Sequence, residues 1–243
     1  MLTIYMREIR GFFSSLTGYV VMIVFLLLTS LFMWVFSGQM NILDNGYASL
    51  DTLFSLAPWV FLFLVPAISM RMFAEEKRSG TLELLFTRPV HEFEIVFAKF
   101  AATWTLVFIS LVPTLIFYIS VYLLGSPVGN LDIGGTWGSY LGLVFLGGIY
   151  ASIGVFSSSI TENQIVAFIL GVLFSFIFYL GFSFISTVAN SGEWVGLIEN
   201  FGIDYHYQSM SRGVIDSRDI IYFLSIIFFF LFLTKTSLES RKW

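Results

Sequence analysis

The chain has 243 residues, of which 57% are hydrophobic and 12% are charged. Soluble domains carry roughly 25% charged residues, so this composition is typical of a protein that lies mostly within a membrane. The 29 Phe and 6 Trp residues suit lipid-facing surfaces and interfacial belts. Because the chain has no Cys, it cannot form disulfides, thiolate metal sites or a cysteine nucleophile. The net charge of −4 gives no sign of a nucleic-acid partner.

Six stretches of the chain contain no Asp, Glu, Lys or Arg. A bilayer core requires about 20 apolar helical residues, because each residue rises about 1.5 Å across roughly 30 Å of hydrocarbon. Five stretches reach that length, and the sixth can borrow a turn from the segment Asp216–Asp219 before it. The stretches are residues 17–36, 52–70, 100–129, 133–161, 163–192 and 220–234.

From these stretches the sequence predicts an all-α polytopic membrane protein that forms one domain over residues 1–243. Segment 190–215 is too apolar for a free loop and too interrupted to span, so short interfacial helices are expected there. A polar connection, 74–91, separates the second and third helices. The six membrane helices are predicted at residues 17–37, 53–73, 92–124, 137–160, 164–189 and 216–236.

Residues 1–16 predict an amphipathic helix that lies along the membrane interface before the first membrane helix. Arg7, Glu8 and Arg10 lie mostly on one side of this helix. The other side is an apolar stripe at spacings of three and four, which suits partial burial in a lipid surface. The stripe consists of Leu2, Tyr5, Met6, Ile9, Phe12, Phe13 and Leu16.

Lys and Arg are distributed unequally between the connecting segments. If the N-terminus is cytoplasmic, the inside segments hold ten of the twelve basic residues, and only Arg212 and Arg218 lie outside. Cytoplasmic loops of membrane proteins carry such an excess of Lys and Arg. We therefore expect both termini, and segment 74–91 with them, on the cytoplasmic side.

The polar connection 74–91 predicts a short helix between two long ones. Gly80 ends the helix that leaves the membrane, Pro89 ends the next one, and Leu82–Phe86 between them is largely apolar. An apolar helix surrounded by charges and facing the cytoplasm suits docking into a protein groove. The alternative is that its leucines pack against the bilayer surface.

The residues of this connection also resemble a known family. The run EEKRSGTLELL from Glu75 to Leu85, followed by Pro89-Val90, is similar to the signature of ABC-2-type permeases, as is the N-terminal run Met6–Ser15. The resemblance covers nearly the whole chain and implies the architecture of the type V exporters. Within the family it is most similar to the gliding-motility-associated permease subunits, GldF, on Asn41–Asp44, Leu56–Trp59, Phe63–Arg71 and Ser209–Asp219.

The resemblance implies a permease subunit of the bacterial inner membrane. Such a subunit pairs with a second permease-type subunit, in a heterodimer or a homodimer, and with cytoplasmic ATPases. ATP and Mg²⁺ are expected on the ATPase, since this chain has no G-x-x-x-x-G-K-[ST] loop to hold phosphates and is not expected to be an enzyme. By position, the resemblance assigns ATPase coupling to Glu75, Glu76, Arg78, Thr81, Glu83, Leu84 and Leu85.

Two further predictions concern the fifth and second membrane helices. Six helices with uncharged faces give one subunit no polar path, so the fifth helix is expected to line a pathway between two subunits. Pro58 and Pro66 each remove a backbone hydrogen bond, so the second helix is expected to bend or break, and to flex, unless neighbours satisfy the freed carbonyls. The hydroxyls predicted to line the pathway are those of Ser175, Ser183, Ser186 and Thr187.

Other functions agree less well with the sequence. An ion-coupled transporter usually needs ionisable groups at mid-membrane, and an intramembrane enzyme needs a base and a nucleophile there. The six predicted helices hold no acid, base or His at that depth, and His91 and His206 are predicted on opposite sides, where they cannot share a metal. A structural anchor of a motility complex, without transport, stays open as an alternative.

Overall fold

The computed structural model describes residues 1–83, 91–189, 194–213 and 216–240. Within these ranges the chain is helical and has no strand, and six helices are long and apolar enough to cross a membrane. The predicted all-α membrane fold is therefore confirmed. The six spans, numbered in chain order, are Gly18–Val35, Asp51–Arg78, Glu92–Leu124, Ile133–Ile160, Gln164–Thr187 and Ser217–Glu239.

The fourth span is the centre of the bundle. In an apolar stretch of 18 residues from this span, 78% of the residues are buried within the chain, against 22% in the corresponding stretches of the first and fifth spans. Its glycines allow close approach of the surrounding helices, as small residues do inside membranes. A side chain at Gly147 would overlap Val107 of the third span, and one at Gly154 would overlap Ser69 of the second. The less buried spans surround this core and expose apolar faces.

Four of the spans depart from a regular α-helix at one point along their length. The first is α-helical over Leu16–Ser30 and π-helical over Leu31–Val35. The third has a 3₁₀ turn at Val112–Thr114, around Pro113, between the α-helices Glu92–Leu111 and Leu115–Leu124. The second is divided at Met70 into the helices Asp51–Ser69 and Arg71–Arg78. The fifth has a π-helical turn at Ile177–Gly181, between the α-helices Gln164–Phe176 and Phe182–Ala189.

The predicted helix bounds agree for the third span and for the fifth, whose helices run from Gln164 to Ala189, and they differ for the others. The fourth span begins at Ile133, four residues before the predicted start, because the Asp132 carboxylate caps the helix by accepting the Gly135 N–H at 3.0 Å. The sixth begins at Ser217 with Asp216 as its N-cap, and it continues to Glu239, three residues past the predicted end.

The bundle has two ends of different character. One end, where the first span begins and the sixth ends, is called the terminal end, and the opposite end is called the loop end. Three short helices lie at the loop end, namely Ile42–Asn45, Trp194–Glu199 and Ile203–Ser211. Segment 190–215 thus contains short helices, as predicted.

Helix Ile203–Ser211, the loop-end helix, packs on the start of the fourth span. A side chain at Gly138 would meet the backbone of Met210 and Gly213, and Gly142 faces the ring of Tyr207. These two glycines therefore serve packing within the chain. His206 joins the same helix to the sixth span, because its Nδ1 lies 2.7 Å from Asp219 and its Nε2 lies 2.9 Å from the Asn200 carbonyl.

The N-terminal helix, Leu2–Phe13, packs along the terminal end of the third span. The Tyr5 hydroxyl donates a hydrogen bond to Thr105 Oγ1 at 3.1 Å. Leu2 remains 71% exposed and Met6 43% exposed, which leaves them for contact with lipid. The predicted amphipathic helix is present, but Glu8 does not lie on an outer polar face, because it turns inward to the charges of the bundle.

Candidate functional site

The candidate site is the terminal end of the second span, where the helix leaves the bundle. Its end is a Schellman motif: the Gly80 N–H donates to the Lys77 carbonyl at 3.2 Å and the Thr81 N–H donates to the Glu76 carbonyl at 3.0 Å. Gly80 has φ +69°, a left-handed conformation that favours glycine. Gly80 thus ends this helix as predicted, and the chain resumes a helical conformation at Leu82 and Glu83.

The residues assigned to coupling divide between an outward and an inward face. Glu75, Arg78, Thr81 and Glu83 are exposed at this end. Glu76, in contrast, points inward and retains 13% side-chain exposure. Leu84 and Leu85 lie outside the described residues. The exposed members are one acid and one base before Gly80, and one hydroxyl and one acid after it.

The inward-facing Glu76 belongs to a cluster of four charged side chains from three helices. Lys99 of the third span is 1% exposed, and its Nζ lies 3.0 Å from Glu8 Oε1 and 3.0 Å from Glu76 Oε2. Arg7 contacts both carboxylates, at 2.6 Å for Glu8. The cluster, hereafter the terminal-end cluster, contains two bases and two acids, so its charges balance.

Lys99 has further partners that make its burial tolerable. Its Nζ donates to the Met72 carbonyl at 2.5 Å and lies 5.0 Å above the ring of Phe73. A buried ammonium group needs ionised and hydrogen-bonding partners, since desolvation of a single charge costs several kcal/mol. Burial acts to raise the pKa of Glu8, but the nearby charges of Lys99 and Arg7 outweigh it and lower that pKa below 4.5. Glu8 is therefore ionised at neutral pH.

A serine of the fourth span holds the second span just before this cluster. Ser158 Oγ accepts hydrogen bonds from the N–H groups of Phe73 and Ala74, at 2.9 and 3.0 Å, and donates to the Met70 carbonyl at 2.9 Å. The hydroxyl thus occupies the helical ladder at the point where the second span is interrupted. Lys77 also bonds the Ser159 carbonyl. The segment that carries the exposed residues Glu75 and Arg78 is consequently bonded to the fourth span, at the centre of the bundle.

The second span continues through both of its prolines, and the interruption lies at Met70. Pro58 cannot donate to the carbonyl of Phe54, but the buried Tyr207 hydroxyl of the loop-end helix donates to that carbonyl at 2.7 Å. Pro66 packs against Gly171 of the fifth span. The expected break at the prolines is therefore not seen, and at Pro58 a neighbouring helix supplies the missing donor.

Comparison with known families identifies this arrangement. Residues 37–235 match the family model described as "ABC-2 family transporter protein". The chain belongs to the ABC-2 transporter family. It is a membrane permease subunit and is not itself the catalytic component, and permeases of this family typically work with a cytoplasmic ATPase. No curated protein matches the chain.

The match includes the polar connection 74–91, the second to fifth spans and most of the sixth. It begins after the first span, so Arg7 and Glu8 lie outside the matched region while Glu76 and Lys99 lie within it. The terminal-end cluster therefore joins residues within the matched region to the N-terminal helix before it.

The structure separates the four hydroxyls that were predicted to line a pathway. Ser175 and Ser186 are buried within the subunit, and the Ser186 hydroxyl donates to Glu199 Oε1 at 2.9 Å. Ser183 is partly exposed and Thr187 is exposed. Only Ser183 and Thr187 are thus accessible on this subunit's surface.

The sequence analysis missed the terminal-end cluster. The charge bias counts Lys99 only among the basic residues of the inside segments, and the helical pattern places Glu8 on the polar side of the N-terminal helix. A signal was present, because Lys99 lies between Ala98 and Phe100 on a helix whose neighbouring residues are apolar. A base in such a position implies acidic partners, although the sequence does not show which acids they are.

Proposed function

We propose that this permease couples ATP hydrolysis by a separate cytoplasmic ATPase to movement of a substrate or a conformational signal across the membrane. The observation that carries the proposal is the exposed polar group at the end of the second span, which consists of Glu75, Arg78, Thr81 and Glu83. These residues are held by Gly80 and joined to the core through Ser158 and the terminal-end cluster. ATP and Mg²⁺ would bind the ATPase and not this chain.

Transmission from this surface to the bundle follows from the contacts of one helical segment. Arg71–Arg78 carries the exposed charges on one side and bonds the fourth span on the other, through Phe73, Ala74 and Lys77. A force applied by an ATPase at Glu75 or Glu83 would therefore reach the central span directly. Pro58 and Pro66 are proposed as flexing positions, because no backbone donor ties either residue to the preceding turn.

We propose that the terminal end faces the cytoplasm of a bacterium and that the protein lies in the inner membrane. The described bases at this end are Arg7, Arg10, Arg71, Lys77, Arg78, Lys99 and Lys235. The positive-inside rule favours the cytoplasmic side for such an excess. Both termini would then be cytoplasmic, and the loop-end helix would lie outside.

A second permease-type subunit, with a heterodimer favoured, is part of the proposal. The fifth span is only 22% buried within the chain, and Ile169 on it is 56% exposed. Thr187 and Ser183 would contribute accessible hydroxyls to the interface, whereas Ser175 and Ser186 would act from inside the subunit. A cysteine at Ile169 is expected to crosslink to the second subunit, and exclusive crosslinking from the sixth span would contradict this interface.

The resemblance to GldF supports a role in gliding motility or secretion for the same subunit. The sequence runs that carry it are Asn41–Asp44, Leu56–Trp59, Phe63–Arg71 and Ser209–Asp219. A structural anchor for such machinery would use the same ATPase surface without passing a substrate. Substrate movement that depends on ATP, in vesicles that contain the complex, distinguishes transport from anchoring.

The test of ATPase coupling is co-purification of the tagged chain from membranes. Glu83→Lys and Leu84→Asp are each expected to reduce the amount of associated ATPase by about tenfold, because charge reversal or a buried charge removes a central contact. Glu239→Lys, at the same end of the bundle but outside the coupling segment, is the matched control. Undiminished ATPase with both coupling variants, inserted normally in the membrane, would refute the assignment.

A further inference from the structure

A polar cavity of about 580 Å³ lies at the loop end of the bundle. Its walls come from the second, fourth and fifth spans and from the loop-end helix. The lining includes two carboxylates, those of Asp51 and Asp204, one guanidinium, that of Arg212, and the rings of Trp59 and Tyr179. The lining thus has an excess of one negative charge and carries aromatic surfaces.

Asp204 is the charged group set most deeply in this cavity. Its carboxylate accepts a hydrogen bond from Gln208 Nε2 at 2.8 Å. Burial raises the pKa of Asp204, although the Tyr179 hydroxyl and the Gln208 amide both act to lower it. A cationic ligand group beside the carboxylate would remove this cost, because an opposite charge favours the ionised form.

A second, independent observation lies behind the wall of the cavity. The hydroxyl of Tyr150 is fully buried and has no hydrogen-bond partner among the described residues. Its ring contacts that of Tyr179, with centroids 6.2 Å apart, and it lies within electrostatic reach of Asp204 and Tyr207. A buried hydroxyl without a partner is unusual in a folded protein, and this one belongs to a ring that contacts the cavity-lining Tyr179.

An apolar groove of about 460 Å³ adjoins the polar cavity at Trp59. The two share Trp59, and the groove continues along the second span to Ala67, between the first and fifth spans. Eight residues separate Trp59 from Ala67, which corresponds to about 12 Å of helix, or roughly the depth of one leaflet. The polar cavity covers the preceding turns, from Asp51 to Trp59.

We propose that the cavity and groove together bind one phospholipid with a zwitterionic headgroup. Its ammonium group lies against Asp204 and the aromatic rings, its phosphate lies near Arg212, and an acyl chain occupies the groove from Trp59 to Ala67. Charge complementarity assigns the headgroup, since carboxylates and aromatic faces attract ammonium groups while the guanidinium attracts phosphate. The surrounding bilayer is the source of the ligand.

The test uses the complex purified from membranes and reconstituted, without ATP, in nanodiscs. Photoactivatable phosphatidylethanolamine and phosphatidylglycerol with identical diazirine-bearing acyl chains are the probes. The ethanolamine lipid is expected to label peptides around Trp59–Ala67 about fivefold more strongly than the glycerol lipid, because only it presents an ammonium group. Equal labelling by the two lipids, or labelling confined to other surfaces, would overturn the proposal.

Two variants test the assignment of charges. Asp204→Asn keeps the shape of the side chain and is expected to abolish the preference for the ethanolamine lipid, whereas Arg212→Gln is expected to weaken labelling by both lipids. Asp44→Asn, an exposed acid at the same end but outside the cavity, is the matched control and keeps the preference. A preference that survives Asp204→Asn contradicts the headgroup assignment.

The groove has one competing occupant, the second permease subunit. In this Cys-free chain, single cysteines at Val24 and Phe63 would then crosslink to that subunit, and the lipid probe would not label the groove. That result would also overturn the proposal. Because binding is measured without ATP, its failure leaves ATPase coupling untouched, and loss of ATPase association by Glu83→Lys leaves lipid binding untouched.

Discussion

At the scale of single residues, buried polar groups explain how the helices of this permease are joined. Lys99 is almost completely buried, and two carboxylates, a carbonyl and an aromatic ring surround its ammonium group. Tyr207 similarly supplies the donor that Pro58 denies to the Phe54 carbonyl. Each case pairs a group that is costly to bury with a partner distant in sequence.

The terminal-end cluster makes Lys99→Met a destabilising substitution. Removal of the base leaves Glu8 and Glu76 facing each other with only Arg7 to compensate, at a cost of about 3 kcal/mol. In a 243-residue protein this corresponds to a fall of roughly 6–12 °C in the thermal unfolding midpoint in detergent.

Lys235→Met is the control for that substitution, because it removes the same charge from an exposed pair with Glu239 at 3.3 Å. Exposed pairs of this spacing contribute only about 0.3–0.5 kcal/mol, so a change of about 1–2 °C is expected. Equal shifts for the two variants would show that the terminal-end cluster does not stabilise the fold.

Tyr207→Phe tests the compensation for Pro58. The substitution keeps the ring but leaves the buried Phe54 carbonyl without its donor, which is expected to cost about 1–3 kcal/mol of stability. Tyr205→Phe, on the exposed side of the same helix, is expected to change stability by less than about 0.5 kcal/mol. Thermal unfolding of the two purified variants makes the comparison, and a loss for Tyr205→Phe as large as that for Tyr207→Phe would contradict the assigned role of the hydrogen bond.

At the scale of elements, the N-terminal helix is attached to the bundle by charge as well as by apolar packing. Phe12 is buried in the core, Glu8 reaches Lys99, and Tyr5 reaches Thr105. The helix and the coupling segment share the terminal-end cluster, so movement of one is expected to affect the other. This link depends on the ionised state of Glu8.

Acid is therefore expected to loosen the N-terminal helix. Burial acts to raise the pKa of Glu8, but Lys99 and Arg7 lower it below 4.5 in the docked helix. A lowered carboxylate pKa adds stability above about pH 4.5, and that stability is lost as the pH falls through the lowered value. Spin labels at Thr3 and Phe97 should give a narrow distance distribution at pH 7 and a broad one once the pH falls well below 4.5. In Glu8→Gln the distribution should not depend on pH, and identical broadening in both proteins would refute this explanation.

At the scale of the whole molecule, the number and order of the spans could be predicted because they depend on runs of uncharged residues. The third span has its predicted bounds, and Gly80 ends the second span as its conformation requires. The coupling of Glu76 to Lys99 and the bond from Tyr207 to Phe54 could not be predicted, because they depend on which helices are neighbours. Pro58 illustrates the limit: the freed carbonyl follows from the sequence, but its partner lies 153 positions away.

The central claim is that the exposed residues around Gly80 meet a cytoplasmic ATPase. Thr81 and Tyr47 are both exposed and lie at the terminal end and the loop end, so they form a matched pair. A photocrosslinking amino acid placed singly at each position, in living cells, tests both the contact and the orientation. Position 81 is expected to crosslink to an ATPase subunit, and position 47 is not. If the ATPase crosslinks from position 47, or if it co-purifies without crosslinking from position 81, the residues around Gly80 do not form the ATPase contact.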